Sequence, residues 1–160
     1  MILSTSLAQQ NASDESWVRN KIIGTWKLVL AEDTLRDGST RSMYGLRGQG
    51  FLMYSADGFM CTVLMDPDRP KWANPKKPTQ ADKASAFDGS YGYCGRYEID
   101  AKHNALVHLP QVSTGPGFVA TRQVRPYRFE GNRMTFSDTV EDESELASWK
   151  IVWEKVNCLA

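Results

Sequence analysis

The stretch "AFDGSYGYCGRYEID", residues 86–100, decides the fold. Tyr91, Tyr93, Gly95, Tyr97 and Ile99 fall at alternate positions, with Gly92, Cys94, Arg96 and Glu98 between them. A strand sends successive side chains to opposite faces. One face is therefore apolar with phenolic tips, and the other suits solvent. Gly95 inside the run predicts a bend of the kind a sheet needs to curl on itself. A closed barrel of about eight strands leaves an interior wide enough for packed side chains or one small ligand. Tyrosines on its inner wall would stack on a flat guest and offer it hydroxyls, and the same spacing also serves a solid aromatic core.

Outward from this stretch the signals remain those of short strands and turns. "GFLMYSADGFMCTVLMD" reads as two strands joined at Ser55–Gly58. "RDGS" at Arg36–Ser39 and "EGN" at Glu130–Asn132 are further turns. "TWKLVLAED", "ALVHLPQV", "GFVATRQVRPYRFEG", "NRMTFS" and "ASWKIVWEKV" read as strands. Two short helices interrupt them. "SDESWVRNKIIG" can be capped by Ser13 and stopped by Gly24, with Trp17, Ile22 and Ile23 packing inward. "TQADKASAF" carries Thr79 and Asp82 as a capping box after the Pro-rich loop Pro67–Pro78. The acidic "DTVEDESE" is a solvated loop. The expected architecture is all-β: a closed antiparallel up-and-down barrel of about eight strands, with one helix at the start and one in a long loop.

Composition limits the possible roles. A chain of 160 residues with 41% hydrophobic residues can bury a core as one domain, here residues 13–160 after a flexible tail at 1–12. Nineteen basic and nineteen acidic residues cancel, so no nucleic-acid footprint exists. No apolar run is long enough to span a membrane. The two histidines, His103 and His108, are too few and too separated for a metal site, and no cofactor motif occurs. Cys61, Cys94 and Cys158 are widely spaced and suggest reduced thiols in a cytoplasmic protein.

Period-2 reading supplies the candidate site. "GTWKLVLAED" puts Trp26, Leu28, Leu30 and Glu32 on one face. An inward Glu32 near a barrel mouth would have a raised pKa and could move protons. "FVATRQVRPYRF" puts Val119, Thr121, Gln123, Arg125, Tyr127 and Phe129 together. Gln123 and Arg125 among apolar neighbours need partners, which Glu32 or a ligand oxygen could supply. His108 sits between Val107 and Leu109, placed either as an acid/base or as a satisfied core histidine, whereas His103 lies in a turn. Tyr54 and Met53 face opposite ways, so only one points inward. Tyr54, Tyr91, Tyr93, Tyr97 and Gln123 are the candidate substrate contacts. Trp72 joins them from the Pro-rich loop, which with the helix after Thr79 could form a lid.

The ordered set "GTW", "YSADGFM", "FDG…YCGRYE" and "QVRPYRFEGNRMT" resembles the lipocalin-like domain family of small bacterial and fungal proteins, over about residues 20–156. The resemblance implies a closed barrel with a ligand cavity, and Trp26 as the tryptophan that plugs its floor. It implies matches for His108, Gln123 and Arg125, while Leu109 and Gln111 stand where relatives often carry a second histidine and a glutamate. Some fungal relatives look like cyclases or isomerases of polyketide or terpenoid pathways. The first functional reading is a cofactor-independent isomerase or cyclase, with His108 or Glu32 as base and Arg125 stabilising developing negative charge. The alternative is a non-catalytic carrier of a small hydrophobic metabolite. A homodimer is possible in either case.

Overall fold

Short apolar-alternating runs separated by turn residues give nine antiparallel strands. They are β1 (Gly24–Leu35), β2 (Thr40–Ser42), β3 (Gln49–Tyr54), β4 (Phe59–Met65), β5 (Ser90–Asp100), β6 (Ala105–Ser113), β7 (Gln123–Glu130), β8 (Arg133–Thr139) and β9 (Leu146–Lys155). They come from a computed structural model that describes residues 14–157. Each strand from β3 onward pairs with the next, and β9 returns to pair with β1 from Trp26↔Lys155 to Leu35↔Leu146. β2 pairs with β1 alone, so the other eight strands are the staves of a closed barrel. The expected architecture is present, with β2 added. The tight turns fall where Gly38, Gly58 and Gly131 supply the positive φ that such turns require.

Helix α1 (Glu15–Ile22) closes one end. Its cap is Asp14, whose carboxylate accepts from the backbone N–H of Ser16 and Trp17. Ser13, the expected cap, and the expected tail at residues 1–12 lie outside the described residues. Val18 and Ile22 are fully buried, and the Trp26 indole, also fully buried, donates to the Ile22 carbonyl at 2.7 Å. Trp26 is the plug that the resemblance implied. Helix α2 (Gln80–Asp88) starts at the expected Thr79–Asp82 capping box, buries no residue and lies beside β5.

Three features depart from the alternation read in the sequence. In β1 the register with β9 shifts between Leu28 and Leu30, leaving Val29 exposed on a bulge. A bulge adds one residue and so exchanges the two faces beyond it. Ala31 and Asp33 therefore turn toward the side of Ile151 and Trp149, their cross-strand partners, and Glu32 turns outward opposite Lys150. A second shift lies in β6, where Cys94 pairs with Val112 and Gly95 with Pro110, so Gln111 is the extra residue and β5 bends at Gly95, as expected there, while keeping its own alternation. A Cβ at Gly95 would lie 2.1 Å from the Leu109 carbonyl oxygen, so only glycine fits. In the third departure β7 begins at Gln123, so Val119 and Thr121 are not on its inner face; residues Pro116–Phe118 form a 3₁₀ turn instead.

The cysteine reading is corrected. Cys61 and Cys94 are directly opposed partners of β4 and β5, with Cα atoms 4.1 Å apart, and they form a disulfide. The pairing register, invisible in a separation of 33 residues, brings them together. A disulfide persists in oxidising surroundings, so reduced thiols no longer argue for a cytoplasmic protein. Cys158 lies outside the described residues. No helix among the described residues is long and apolar enough to cross a membrane.

Candidate ligand-binding cavity

The inner faces of the staves do not fill the barrel completely. A cavity of about 180 Å³ remains, walled by Leu52, Leu64, Phe136 and Ile151 on the apolar side and by Tyr91, Tyr93 and Phe118 on the aromatic side. Its polar groups come from Tyr44, Thr62, His108, Arg125 and Trp153. Tyr44 and Tyr91 also wall a groove of about 540 Å³ on the outer surface, together with Asp33, Arg41 and Phe87. These two tyrosines thus stand between the interior and the groove, and Phe87 brings the end of α2 to the same rim.

His108 is 1% exposed and both its ring nitrogens are occupied. Nε2 lies 2.6 Å from the Tyr54 hydroxyl and Nδ1 lies 2.7 Å from the Tyr93 hydroxyl. Burial, with the positive charge of Arg125, holds the His108 pKa well below its usual 6.5, so the ring is neutral at pH 7. A neutral imidazole donates from one nitrogen and accepts at the other. One tyrosine must therefore donate to it and the other accept from it. If Tyr93 donated, the proton of the fully buried Tyr54 hydroxyl would be left without an acceptor among the described residues, at a cost of about 1–3 kcal/mol. The favoured arrangement has Tyr54 donating to Nε2 and Nδ1–H donating to Tyr93. The Tyr93 proton is then free to point into the cavity. Burial raises the Tyr93 pKa, and the adjacent Arg125 guanidinium opposes that rise.

Four further donors meet the same space. Arg125 reaches the Gln123 side-chain oxygen at 3.4 Å and stacks near Trp149, but among the described residues no carboxylate lies within ion-pair distance of it. Thr62 Oγ1 and Trp153 Nε1 are buried, in residues 3% and 2% exposed, and have no hydrogen-bond partner among the described residues. Burial also pushes the Tyr44 hydroxyl up to about 12, so it stays protonated. Among the described residues, no Asp or Glu lines the cavity.

Of the residues singled out in the sequence, Tyr91, Tyr93, His108 and Arg125 come together here. The others do not. Glu32 is on the outer face, 3.8 Å from Lys150, because of the Val29 bulge. Tyr54 does point inward, but its hydroxyl is spent on His108 rather than on the cavity. Tyr97 packs edge-on against Tyr54 and donates to the Ser55 carbonyl at 2.9 Å, outside the cavity wall. Gln123 donates to Thr121 and accepts from Arg125, which makes it a support for Arg125. Trp72 is tied to the Asp82 carbonyl in the outer loop and lines a separate surface hollow. His103 is exposed beside Asp100, as its turn suggested. Tyr44, Thr62 and Trp153 were not anticipated, although inward alternation of Met60, Thr62 and Leu64, and of Ile151 and Trp153, carries the signal for two of them.

A closed eight-stranded barrel with a plugging tryptophan and an interior cavity is the architecture that the motif resemblance implied. A family model for the lipocalin-like domain matches residues 23–156, spanning the whole barrel. The chain belongs to the lipocalin-like domain family. Comparison with curated proteins and with solved structures gave no match. Lipocalin-like architecture fits small-molecule binding in the barrel.

Proposed function

We propose that this lipocalin-like barrel is a cofactor-independent isomerase or cyclase acting on a small oxygenated, largely apolar metabolite of polyketide or terpenoid type. The observation that supports the reading is the Tyr54–His108–Tyr93 chain, with contacts of 2.6 and 2.7 Å, whose favoured tautomer leaves the Tyr93 proton available to the cavity. Tyr93 would donate a hydrogen bond to a substrate carbonyl oxygen, and Arg125 would face the negative charge that builds there on enolisation. Preorganised donors at such an oxygen are among the strongest single contributions to catalysis. His108 then acts as a positioning residue that fixes the direction of the Tyr93 proton. The α-proton leaves to solvent entering past Tyr44 and Tyr91, and the enolate oxygen stays on Tyr93 and Arg125. The aromatic wall restricts substrate conformation, which is the other requirement of a cyclisation.

A carrier is the second reading. It is favoured by the same chain, in which both nitrogens of His108 are already hydrogen-bonded and no unpaired base among the described residues faces the cavity. Hydrogen–deuterium exchange at the α-carbon of acetophenone and of 1,3-cyclohexanedione, followed by NMR, separates the two. The enzyme accelerates exchange, and Tyr93→Phe slows it by roughly 100-fold while ligand quenching of tryptophan fluorescence persists. Glu32→Gln leaves both measurements unchanged. Binding of the probes with no acceleration by the unaltered protein identifies a carrier.

A further inference from the structure

The cavity has an asymmetry that its apolar walls conceal. Arg125 and the Trp153 indole can only donate hydrogen bonds. Thr62 and Tyr44 hold hydroxyl protons, and Tyr93 has its proton free once His108 donates to it. Among the described residues, no group that can only accept lines the same space. Two of these donors, Thr62 Oγ1 and Trp153 Nε1, are buried without partners. An unsatisfied buried polar group costs about 1–3 kcal/mol, and two of them in one small cavity are explained by a guest that accepts from them. A neutral carbonyl oxygen has two lone pairs. A carboxylate has about four acceptor sites and a charge to match the guanidinium.

From this donor set we infer that the guest is a small monocarboxylate carrying one flat ring, its carboxylate held by Arg125, Trp153 and Thr62 and its ring lying against Tyr91, Tyr93 and Phe118. Size agrees with the single ring. A cavity of about 150 Å³ takes benzene, so about 180 Å³ leaves room for a ring and one small substituent. Longer substituents would leave between Tyr44 and Tyr91 into the outer groove, where Arg41 and Phe87 stand. The inference rests on the cavity being the binding site, and it adds the charge and size of what binds. If the bound acid also carries a ketone, Tyr93 remains available for the carbonyl.

Calorimetric titration with benzoate, benzamide and toluene tests this, because the three share a ring and differ in the group presented to the donors. Benzoate is expected to bind at least 10-fold more tightly than benzamide, and to shift the indole N–H resonance that Trp153→Phe removes. Arg125→Gln is expected to abolish that preference while benzamide binding stays. Arg125→Lys, which keeps a charge, is expected to retain part of it. Arg125 is only part-buried, and circular dichroism of both variants checks the fold. Benzamide or toluene binding as well as benzoate overturns the carboxylate and leaves the cavity as a binding site. A benzoate preference that survives Arg125→Gln, without movement of the indole resonance, places the acid elsewhere and also overturns it. If none of the three binds, both the carboxylate and the cavity reading fail together.

Discussion

The imidazole of His108 is enclosed by two phenols, and its depressed pKa makes the fold sensitive to acid in a defined range. In the unfolded chain it titrates near 6.5. Below that pH the unfolded state takes up a proton that the folded state refuses, so stability present above about pH 6.5 is lost as pH falls toward the folded-state value. Unfolding free energy from urea titrations should be flat just above pH 7. Below 6.5 it should decline, with a slope approaching about 1.4 kcal/mol per pH unit. Asp37, Asp57, Asp68, Asp82, Asp100 and Asp142 also have lowered pKa values, but their effect sets in only from about pH 5 downward. The interval between about 5 and 6.5 therefore reports on His108, and an equal slope in His108→Asn would refute the assignment. Tyr91, Tyr93, His108 and Arg125 were legible because each sits on an unbroken alternation of its strand. Thr62 lies between Cys61 and Val63 in an apolar run, and Trp153 reads as ordinary core. Their lack of partners becomes apparent only when the opposite staves are in place.

Irregularities decide where the elements point. The hairpins at Ser55–Gly58 and Glu130–Asn132 were legible because glycine marks the turn residue that must adopt positive φ. The bulge at Val29 had no such marker, and one extra residue carried Glu32 out of the barrel and put Asp33 toward Arg41 at 3.1 Å. At Gly95 the marker was present. Gly95→Ala would drive a Cβ into the Leu109 carbonyl and should cost about 1–3 kcal/mol in denaturant unfolding, as overpacking does. An unchanged midpoint would show that the bend tolerates a side chain. The neighbouring Cys61–Cys94 bond joins β4 to β5 one residue from Thr62 and Tyr93, themselves opposed partners. Reduction with dithiothreitol should lower stability by about 2–4 kcal/mol. Cys61→Ala should match the reduced protein and respond no further to the reagent. Equal stability of oxidised and reduced forms would deny the bond a role in the wall.

For the whole molecule, composition and turn spacing were enough to give a closed all-β barrel, because eight short amphipathic strands have few other ways to remove their edges. The end at which the interior is plugged was also legible, since Trp26 follows directly on a helix whose Val18 and Ile22 have nowhere else to bury. The residual space was not, because volume depends on how side chains from all staves meet. Pairing of β1 with β9 has its own consequence for how the chain is made. The first stave to leave the ribosome waits for the last. Until residues 146–155 have emerged, β1 and β8 are open sheet margins that can recruit another chain. Every copy therefore passes through a stage of synthesis in which neither margin has its proper neighbour, and the helix ahead of β1 is the part already made that can shield the apolar interior meanwhile.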